Sequence, residues 1–204
     1  MNFDDLKIYL PKYLSTESAE ELYESLRDFP QNIDQRIYTT YLKEEPVIFQ
    51  GDGLDNLIVV NLPEVEKKNV PAMIISNTCD IDPNNARNFP SQIIYTPFIN
   101  FAKYSDMLKK DSSKSIEQIE GHLNSIKKQH ITQIFYLPPI NDVFEESIVF
   151  LDRVFNIGSG FVDRKRVKDI RLFTLSDYGN YLFLFKLSLH FTRIQDKVER
   201  KSLI

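Results

Sequence analysis

The sequence is poor in cysteine and lacks any long apolar run, and each absence excludes a class of protein. Its single cysteine, Cys79, cannot form a disulfide within the chain, so we expect a reducing, cytoplasmic environment. No stretch approaches the roughly 18 apolar residues of a membrane span, and we expect no membrane association. The N-terminus, which begins Met-Asn-Phe-Asp-Asp, is acidic and does not have the apolar core of a signal peptide.

The signature motifs of common enzymes are missing as well. The sequence contains no Walker loop, GxGxxG, GxSxG or HExxH pattern, so nucleotide hydrolases and the common hydrolase classes have no support. One cysteine and three scattered histidines do not form the paired spacings of a metal site, and we expect no metal and no cofactor. The acidic segment 80–91 fails as a calcium loop, because Asn85 and Ser91 occupy the positions that require Gly and Glu. An Asx-rich turn is the better interpretation.

Aliphatic and aromatic residues are abundant by contrast. Of the 204 residues 42% are hydrophobic, including 15 Phe and 10 Tyr, which suffices for a substantial core and excludes a globally disordered chain. Residues 1–100 hold 8 Lys/Arg and 16 Asp/Glu, a net charge of −8, whereas residues 101–204 hold 17 and 13, a net charge of +4. This division disfavours a whole-surface nucleic-acid binder and allows a local basic patch in the second half.

Hydrophobic periodicity predicts an α+β fold in which residues 1–204 form one domain. We expect N-terminal helices within residues 1–30, barrel strands across 46–97 and 133–175, a helical insertion at 98–130 and a C-terminal helix over 176–198. Three apolar runs should lie in one sheet, because they are rich in strand-forming residues and bounded by turn signals. These runs are Leu57–Val60, Ala72–Ile75 and Gln92–Tyr95.

The predicted C-terminal helix is apolar on nearly every side. Ser176 and Asp177 provide its N-terminal cap, and the run from Tyr181 to Phe185 follows. A helix of this composition is typical of a central, buried position. We therefore predict that it is the most buried helix of the chain, with Phe185 and Leu187 in the core.

The segment from Phe49 to Thr96 resembles the PemK/MazF-like toxin barrels. In that comparison Gly51-Asp52 is the first turn, Leu57–Val60 is a strand, residues 64–69 are a loop, and Pro71–Asn77 is the second strand with its polar end. Thr96 stands where the family places a catalytic Thr or Ser. The resemblance covers about a quarter of the chain. It implies a small SH3-like β-barrel in a protein of the toxin–antitoxin or phage-defence type.

One position departs from that family. The Arg of its Arg-Pro pair stabilises charge at the scissile phosphate, and Val70 stands there in this chain. A ribonuclease of this kind would need a displaced cation such as Arg36, Arg87 or Arg193, acting with Thr96 or Ser76. The departure favours a binding module, with a diverged toxin-like endoribonuclease as the alternative.

Cys79 and Asp80 form a second candidate group. A thiol becomes a nucleophile when a base or a cation lowers its pKa, and His190 is the most plausible base. No spacing rule links His190 to the pair. The competing interpretation is a structural cysteine, because free cysteines usually pack as small hydrophobic residues.

A third candidate group is basic. Lys186, His190, Arg193 and Lys197 recur at spacings that place them on one face of the C-terminal helix. The segment 163–171 adds five cations, among them Arg164, Lys165 and Arg166. Together these groups could bind the phosphate backbone of a nucleic acid. The alternative is a solvated polar face on a buried helix. Aromatic residues for base stacking are not evident among them, because those of the helix are assigned to the core.

The resulting hypothesis is a cytoplasmic bacterial protein that binds a partner without established catalysis. The partner is a protein, RNA or DNA, and the chain is a possible homo-oligomer. The predicted binding elements are the cluster from Ser76 to Asp82 and the basic face, which comprises Arg164, Lys165, Arg166, Lys186 and Arg193. The alternative is a toxin-like endoribonuclease or a cysteine-dependent hydrolase, with Cys79, Asp80, Thr96 and His190 as its catalytic candidates.

Overall fold

The computed structural model of the chain describes residues 16–85, 88–111 and 113–192. Its helices are α1 (Thr16–Arg27), α2 (Thr78–Ile81), α3 (Phe101–Lys109), α4 (Ile116–Lys127), α5 (Val167–Ile170) and α6 (Asp177–Thr192). Its strands are β1 (Tyr38–Thr39), β2 (Gly53–Asn61), β3 (Glu66–Ile74), β4 (Gln92–Pro97), β5 (Ile99–Asn100), β6 (Ile134–Leu137), β7 (Ser147–Phe150), β8 (Phe155–Gly158) and β9 (Arg171–Leu175). Of the N-terminal helices predicted within residues 1–30, α1 is present, and residues 1–15 lie outside the described residues.

A six-stranded antiparallel sheet in the order β1-β9-β2-β3-β4-β8 forms the larger part of the structure. The three apolar runs fall in β2, β3 and β4, which are adjacent, so the prediction that they share a sheet is confirmed. Gly51 opens the sheet with a φ of +85°, a left-handed conformation that glycine adopts without strain, and its N–H donates to the Ile74 carbonyl at 2.9 Å.

The expected closed barrel is not formed by the described strands. Closure requires the two edge strands to pair, but β1 pairs only with β9 and β8 pairs only with β4. The predicted barrel strands β6 and β7 instead form a second sheet in the order β5-β7-β6. The fold is therefore α+β with two antiparallel sheets.

The helical pair α3 and α4, which lies between β5 and β6 in the chain, occupies the predicted insertion. Helices α3 and α4 pack with β6 and β7 in a hydrophobic cluster that includes Tyr104, Ile119, Ile126 and Ile148. Ser115 begins α4 with a capping box, because its hydroxyl accepts from the Gln118 N–H and the Gln118 side chain accepts from the Ser115 N–H. Local capping signals thus define α4, while its packing partner is the second sheet.

The two faces of the large sheet bury different clusters. Along β3, Ala72 and Ile74 point to one face with Ile81, Val162 and Val167. Met73, between them, points to the opposite face and joins residues of β6, β7, β9, α1 and α6. This alternation is the two-residue period of a strand, and it separates α2 and α5 from α6.

Helix α6 is only partly buried, so the prediction that Phe185 lies in the core is wrong, whereas Leu187 is partly buried against the core. Its inner side contributes Tyr178, Leu182 and Phe183 to the core, but Phe185 is 52% exposed and Phe191 is 62% exposed. The helix packs against the sheet along one stripe, so its remaining apolar residues face outwards. Gly179 permits a close approach, because a Cβ atom there would lie 2.1 Å from the Ile37 carbonyl oxygen.

None of the helices within the described ranges combines the length and the apolar character that crossing a bilayer requires. The predicted end of the C-terminal helix, residues 193–198, falls outside those ranges.

Candidate nucleic-acid interface

The polar cluster after β3 begins with a residue that extends the sheet. Ser76 is buried, and its hydroxyl accepts from the Ile94 N–H at 2.7 Å and donates to the Gln92 carbonyl at 3.3 Å. The side chain thereby continues the pairing of β3 with β4 past the last ladder position. Ser76 is therefore a structural group with both hydrogen-bonding roles occupied.

The next residues form the short helix α2, held by side chains of its own segment. The Asn77 side chain caps it by accepting from the Cys79 N–H at 2.9 Å, and the Thr78 hydroxyl accepts from the Gln50 N–H at 3.0 Å. Asp82 accepts from the Asn84 N–H at 2.9 Å, as in the Asx-rich turn predicted from the sequence. The Cys79 side chain is exposed at this surface.

Arg164 joins this cluster to the basic segment. Its Nη2 donates to the Ile81 carbonyl, the last of α2, at 2.7 Å. Partial burial lowers the pKa of the Arg164 guanidinium, and the nearby Asp82 carboxylate opposes that shift. Two candidate groups that are about 85 residues apart in the sequence therefore lie side by side.

Lys165 and Arg166 present their charges to solvent beside that junction. They belong to a 3₁₀ turn, Arg164–Arg166, whose cap is Asp163, which accepts from the Lys165 N–H at 3.0 Å. Both side chains are exposed, and neither forms an ion pair with any residue in the described ranges. The turn thus holds two exposed cations that form no ion pair with a described carboxylate.

Two exposed aromatic rings flank the same surface. Phe161 is 80% exposed and Phe89 is 82% exposed. Phe89 lies two residues before Ser91, and Phe161 lies two residues after Ser159. The hydroxyls of the two serines are 2.7 Å apart, and a backbone hydrogen bond of 3.0 Å joins the same residues. Sequence reasoning missed these rings; the available signal was a phenylalanine three residues before the basic run, in a Gly-rich turn.

Thr96 does not reach this surface. It is fully buried, and its hydroxyl donates to the Phe150 carbonyl at 2.9 Å, which ties β4 to the end of β7. The position that the toxin resemblance marks as catalytic therefore contributes a hydrogen bond between the two sheets.

His190 lies on α6, beside the ring of Phe191. Helix α6 packs on the face of the large sheet that Met73 occupies, whereas α2 packs on the opposite face through Ile81. The structure does not bring His190 to Cys79, and among the described residues no histidine contacts that cysteine. The proposed nucleophile and base are separated by the sheet.

Lys186 lies in the interior instead of on a basic helical face. Its Nζ donates to the Gln129 carbonyl at 3.0 Å, the Gln129 side-chain oxygen at 2.9 Å and the Ile131 carbonyl at 2.9 Å, and it also contacts the Ile134 carbonyl. Burial lowers the pKa of the Lys186 ammonium to about 7. This lysine holds the connection between α4 and β6 and is not available to a phosphate. Arg193 and Lys197 fall outside the described residues.

None of the described arginines discussed as a replacement for the arginine that Val70 displaces is free of partners. Arg36 is exposed and pairs with Asp34 at 2.9 Å, which raises the pKa of the guanidinium. Arg87 and Arg193 lie outside the described residues. Arg171 forms a buried ion pair with Asp52 at 3.2 Å and donates to the carbonyls of Leu42, Lys43 and Glu45. The Gly51-Asp52 turn is thus tied to β9 by a buried cation.

In the part of the chain that the structure describes, no group of three or more His, Cys, Asp and Glu side chains is arranged to hold a metal ion. The surface composed of α2, the Arg164–Arg166 turn, Phe161 and Phe89 is the candidate site that remains, and we call it the α2–basic surface. Comparison of the chain with protein-family models and with curated proteins finds no match in either.

Proposed function

We propose that this chain is a nucleic-acid-binding module of the toxin–antitoxin or phage-defence type, and that the α2–basic surface contacts the phosphate backbone. The observation that carries the proposal is the exposure of Lys165 and Arg166 without a carboxylate partner in the described residues. Cations of this kind release condensed counterions when they neutralise phosphates, which makes binding favourable and dependent on salt.

The position of the turn supports a backbone contact. Arg164 fixes the turn against α2 through the Ile81 carbonyl, so Lys165 and Arg166 project from an anchored segment. Lys168 adds a further exposed cation whose Nζ lies 4.0 Å from Glu44, a distance at which an exposed pair contributes little. An anchored cluster loses less side-chain and backbone freedom on binding than a mobile one.

The remaining candidates favour binding without cleavage. Val70 replaces the arginine of the toxin family, Thr96 is buried and engaged, and His190 is on the other side of the sheet from Cys79. The described strands do not close the barrel that the PemK/MazF resemblance implies, so the proposal takes from that resemblance only the type of system and not its nuclease chemistry.

A salt titration of binding tests this proposal. Fluorescence anisotropy with a labelled RNA oligonucleotide should give a dissociation constant in the range of about 10⁻⁶ to 10⁻⁴ M, as for sequence-independent contacts. In the variant Lys165→Gln/Arg166→Gln the slope of log K against log salt should decrease by roughly 1.4 for a single strand, because two phosphate contacts are lost.

The matched control removes the same charge elsewhere. Lys67 and Lys68 are exposed on β3, at the far end of the β2–β3 hairpin. The variant Lys67→Gln/Lys68→Gln should retain the wild-type slope. Equal losses in the two double variants would mean that binding follows net charge alone, and no binding at low salt would remove nucleic acid as the partner.

A further inference from the structure

We propose that the α2–basic surface selects single-stranded nucleic acid, because Phe161 and Phe89 offer stacking platforms for unpaired bases. This inference rests on the function proposed above and names the class of its ligand. The contacts to phosphate come from Lys165 and Arg166, and the contacts to bases come from the two rings.

The exposure of the rings is the first step. Phe161 and Phe89 leave 80% and 82% of their surface in solvent, so neither ring contributes its faces to the core. An exposed aromatic face beside cations combines the two features by which single strands are bound without sequence preference, namely a stacking surface and a positive track for the backbone.

The sheet register places both rings near one point. Gln92 pairs with Gly158 at the end of β4 and β8, and the Ser159 N–H donates to the Ser91 carbonyl just beyond. Phe89 precedes Ser91 by two residues and Phe161 follows Ser159 by two. The two rings therefore emerge from adjacent segments at the same end of the sheet.

The cations are within reach of the same strand. Arg166 is five residues from Phe161, so their Cα atoms are separated by at most about 19 Å at 3.8 Å per residue. A span of this size corresponds to a few nucleotides, the lower end of the site sizes of single-strand-binding folds. The rings and cations can thus contact one short strand together.

Acidic residues lie beside the cations of this surface. The segment 161–170 contains four cations and two carboxylates, Asp163 and Asp169, and the α2 segment adds Asp80 and Asp82, so the formal charges of the whole surface balance. Asp163 caps the turn, and Asp82 lies close to Arg164. The positive charge offered to a ligand is therefore local to the exposed side chains of Lys165 and Arg166.

Duplexes cannot use the rings in the same way. In a double helix the base faces are stacked on one another, so a phenylalanine side chain contacts them only if a base is displaced, which is costly. Stacking on an aromatic side chain contributes about one order of magnitude in affinity per base to a single strand. The structure therefore predicts a preference for single strands that depends on the rings and not on the cations.

The experiment compares a 12-nucleotide single strand, as RNA and as DNA, with the corresponding duplex by fluorescence anisotropy at one low salt concentration. In Phe161→Ala and Phe89→Ala the single-strand affinity should fall about tenfold, while duplex affinity stays unchanged. Phe161→Tyr should restore single-strand binding, because it keeps the aromatic face. Phe191→Ala, which removes an exposed ring on α6, is the control and should have no effect.

The outcomes distinguish the stacking of bases on the two rings from the proposed binding of nucleic acid in general. If the Phe variants bind single strands as the wild type does, or weaken single-strand and duplex binding equally, stacking is excluded, whereas a reduced salt slope in Lys165→Gln/Arg166→Gln would still support the nucleic-acid module. If the wild-type protein binds neither ligand, both proposals fail. Thermal unfolding of each variant should match the wild type, because the substituted rings are exposed.

Discussion

Four cations of the second half of the chain lie in two regions that differ in what surrounds them. In the interior, Arg171 and Lys186 each contact several oxygens of the chain itself, most of them backbone carbonyls. At the α2–basic surface, Lys165 and Arg166 face solvent and have no carboxylate partner in the described residues. All four have the same formal charge, but only the second pair can meet an external anion.

The difference shows what a buried cation does in this fold. Arg171, at the start of β9, donates hydrogen bonds to carbonyls within residues 42–47. Lys186, on α6, donates to carbonyls within residues 129–134. Both segments are irregular connections, and the buried cation supplies them with hydrogen-bond donors that no strand pairing provides. The interior cations thus hold loops, and the surface cations are left for function.

The largest expected effect comes from breaking the interior arginine pair. Arg171→Met should lower the free energy of unfolding by about 3–5 kcal/mol, because it leaves the fully buried Asp52 carboxylate without its partner. Burial already raises the pKa of Asp52, and Arg171 opposes that shift. Chemical denaturation followed by circular dichroism measures the loss.

An exposed pair of the same residue types is the control. Arg36→Met removes a partner of Asp34 at the surface and should cost less than about 1 kcal/mol. Adding Asp52→Asn to Arg171→Met should recover part of the loss, since the two side chains are coupled. Equal effects of Arg171→Met and Arg36→Met would show that the interior pair does not hold the fold.

A second test applies the comparison to two phenylalanines of α6. Phe183 is fully buried and packs edge-to-face on Phe135, whereas Phe185 is about half exposed. Phe183→Ala should cost about 3–5 kcal/mol and Phe185→Ala less than about 1 kcal/mol. A comparable loss at both positions, measured by urea unfolding, would mean that the outer side of α6 is also covered in solution.

Lys186→Met should lower the free energy of unfolding by an intermediate amount, about 2 kcal/mol at neutral pH, because the carbonyls of Gln129 and Ile131 each lose a donor. The methionine preserves the length of the side chain and isolates the ammonium group. The connection between α4 and β6 should then exchange its amide hydrogens faster than the rest of the protein, which hydrogen-exchange mass spectrometry detects.

The same lysine predicts a dependence of stability on pH. Its pKa is about 7 in the folded protein and 10.5 for an ordinary lysine, so between these values the unfolded chain binds more protons than the native one. The contribution of Lys186 to the free energy of unfolding should therefore rise as the pH increases from about 7 to about 10.5. Subtracting the profile of Lys186→Met isolates this contribution, and a flat difference would show that the four oxygens keep the ammonium charged throughout.

The smallest expected effect on stability is at the surface turn. Lys165→Gln/Arg166→Gln should change the free energy of unfolding by no more than about 0.5 kcal/mol, because neither side chain has a partner to lose among the described residues. Thermal unfolding at matched ionic strength provides the measurement. A substantial loss would place these cations with the interior pair as structural groups.

Local features of the fold followed from the sequence by itself. Strands β2, β3 and β4 were predicted from their strand-forming runs and the turn residues between them. The cap of α6 was predictable too: the Ser176 hydroxyl accepts from the Gly179 N–H at 3.2 Å. Such signals act over a few neighbouring residues, so they are written in the local sequence.

Only the tertiary structure decided which strands pair and which charges are buried. The sequence placed β6 and β7 in one barrel with β2–β4, but pairing joins segments far apart in the chain and is not encoded by their apolar content. Lys186 and Lys165 look alike as residues, yet one meets the carbonyls of a distant loop and the other meets solvent. Burial depends on what the rest of the chain packs around a side chain, and therefore only the tertiary structure distinguishes the exposed cations from those that hold the fold.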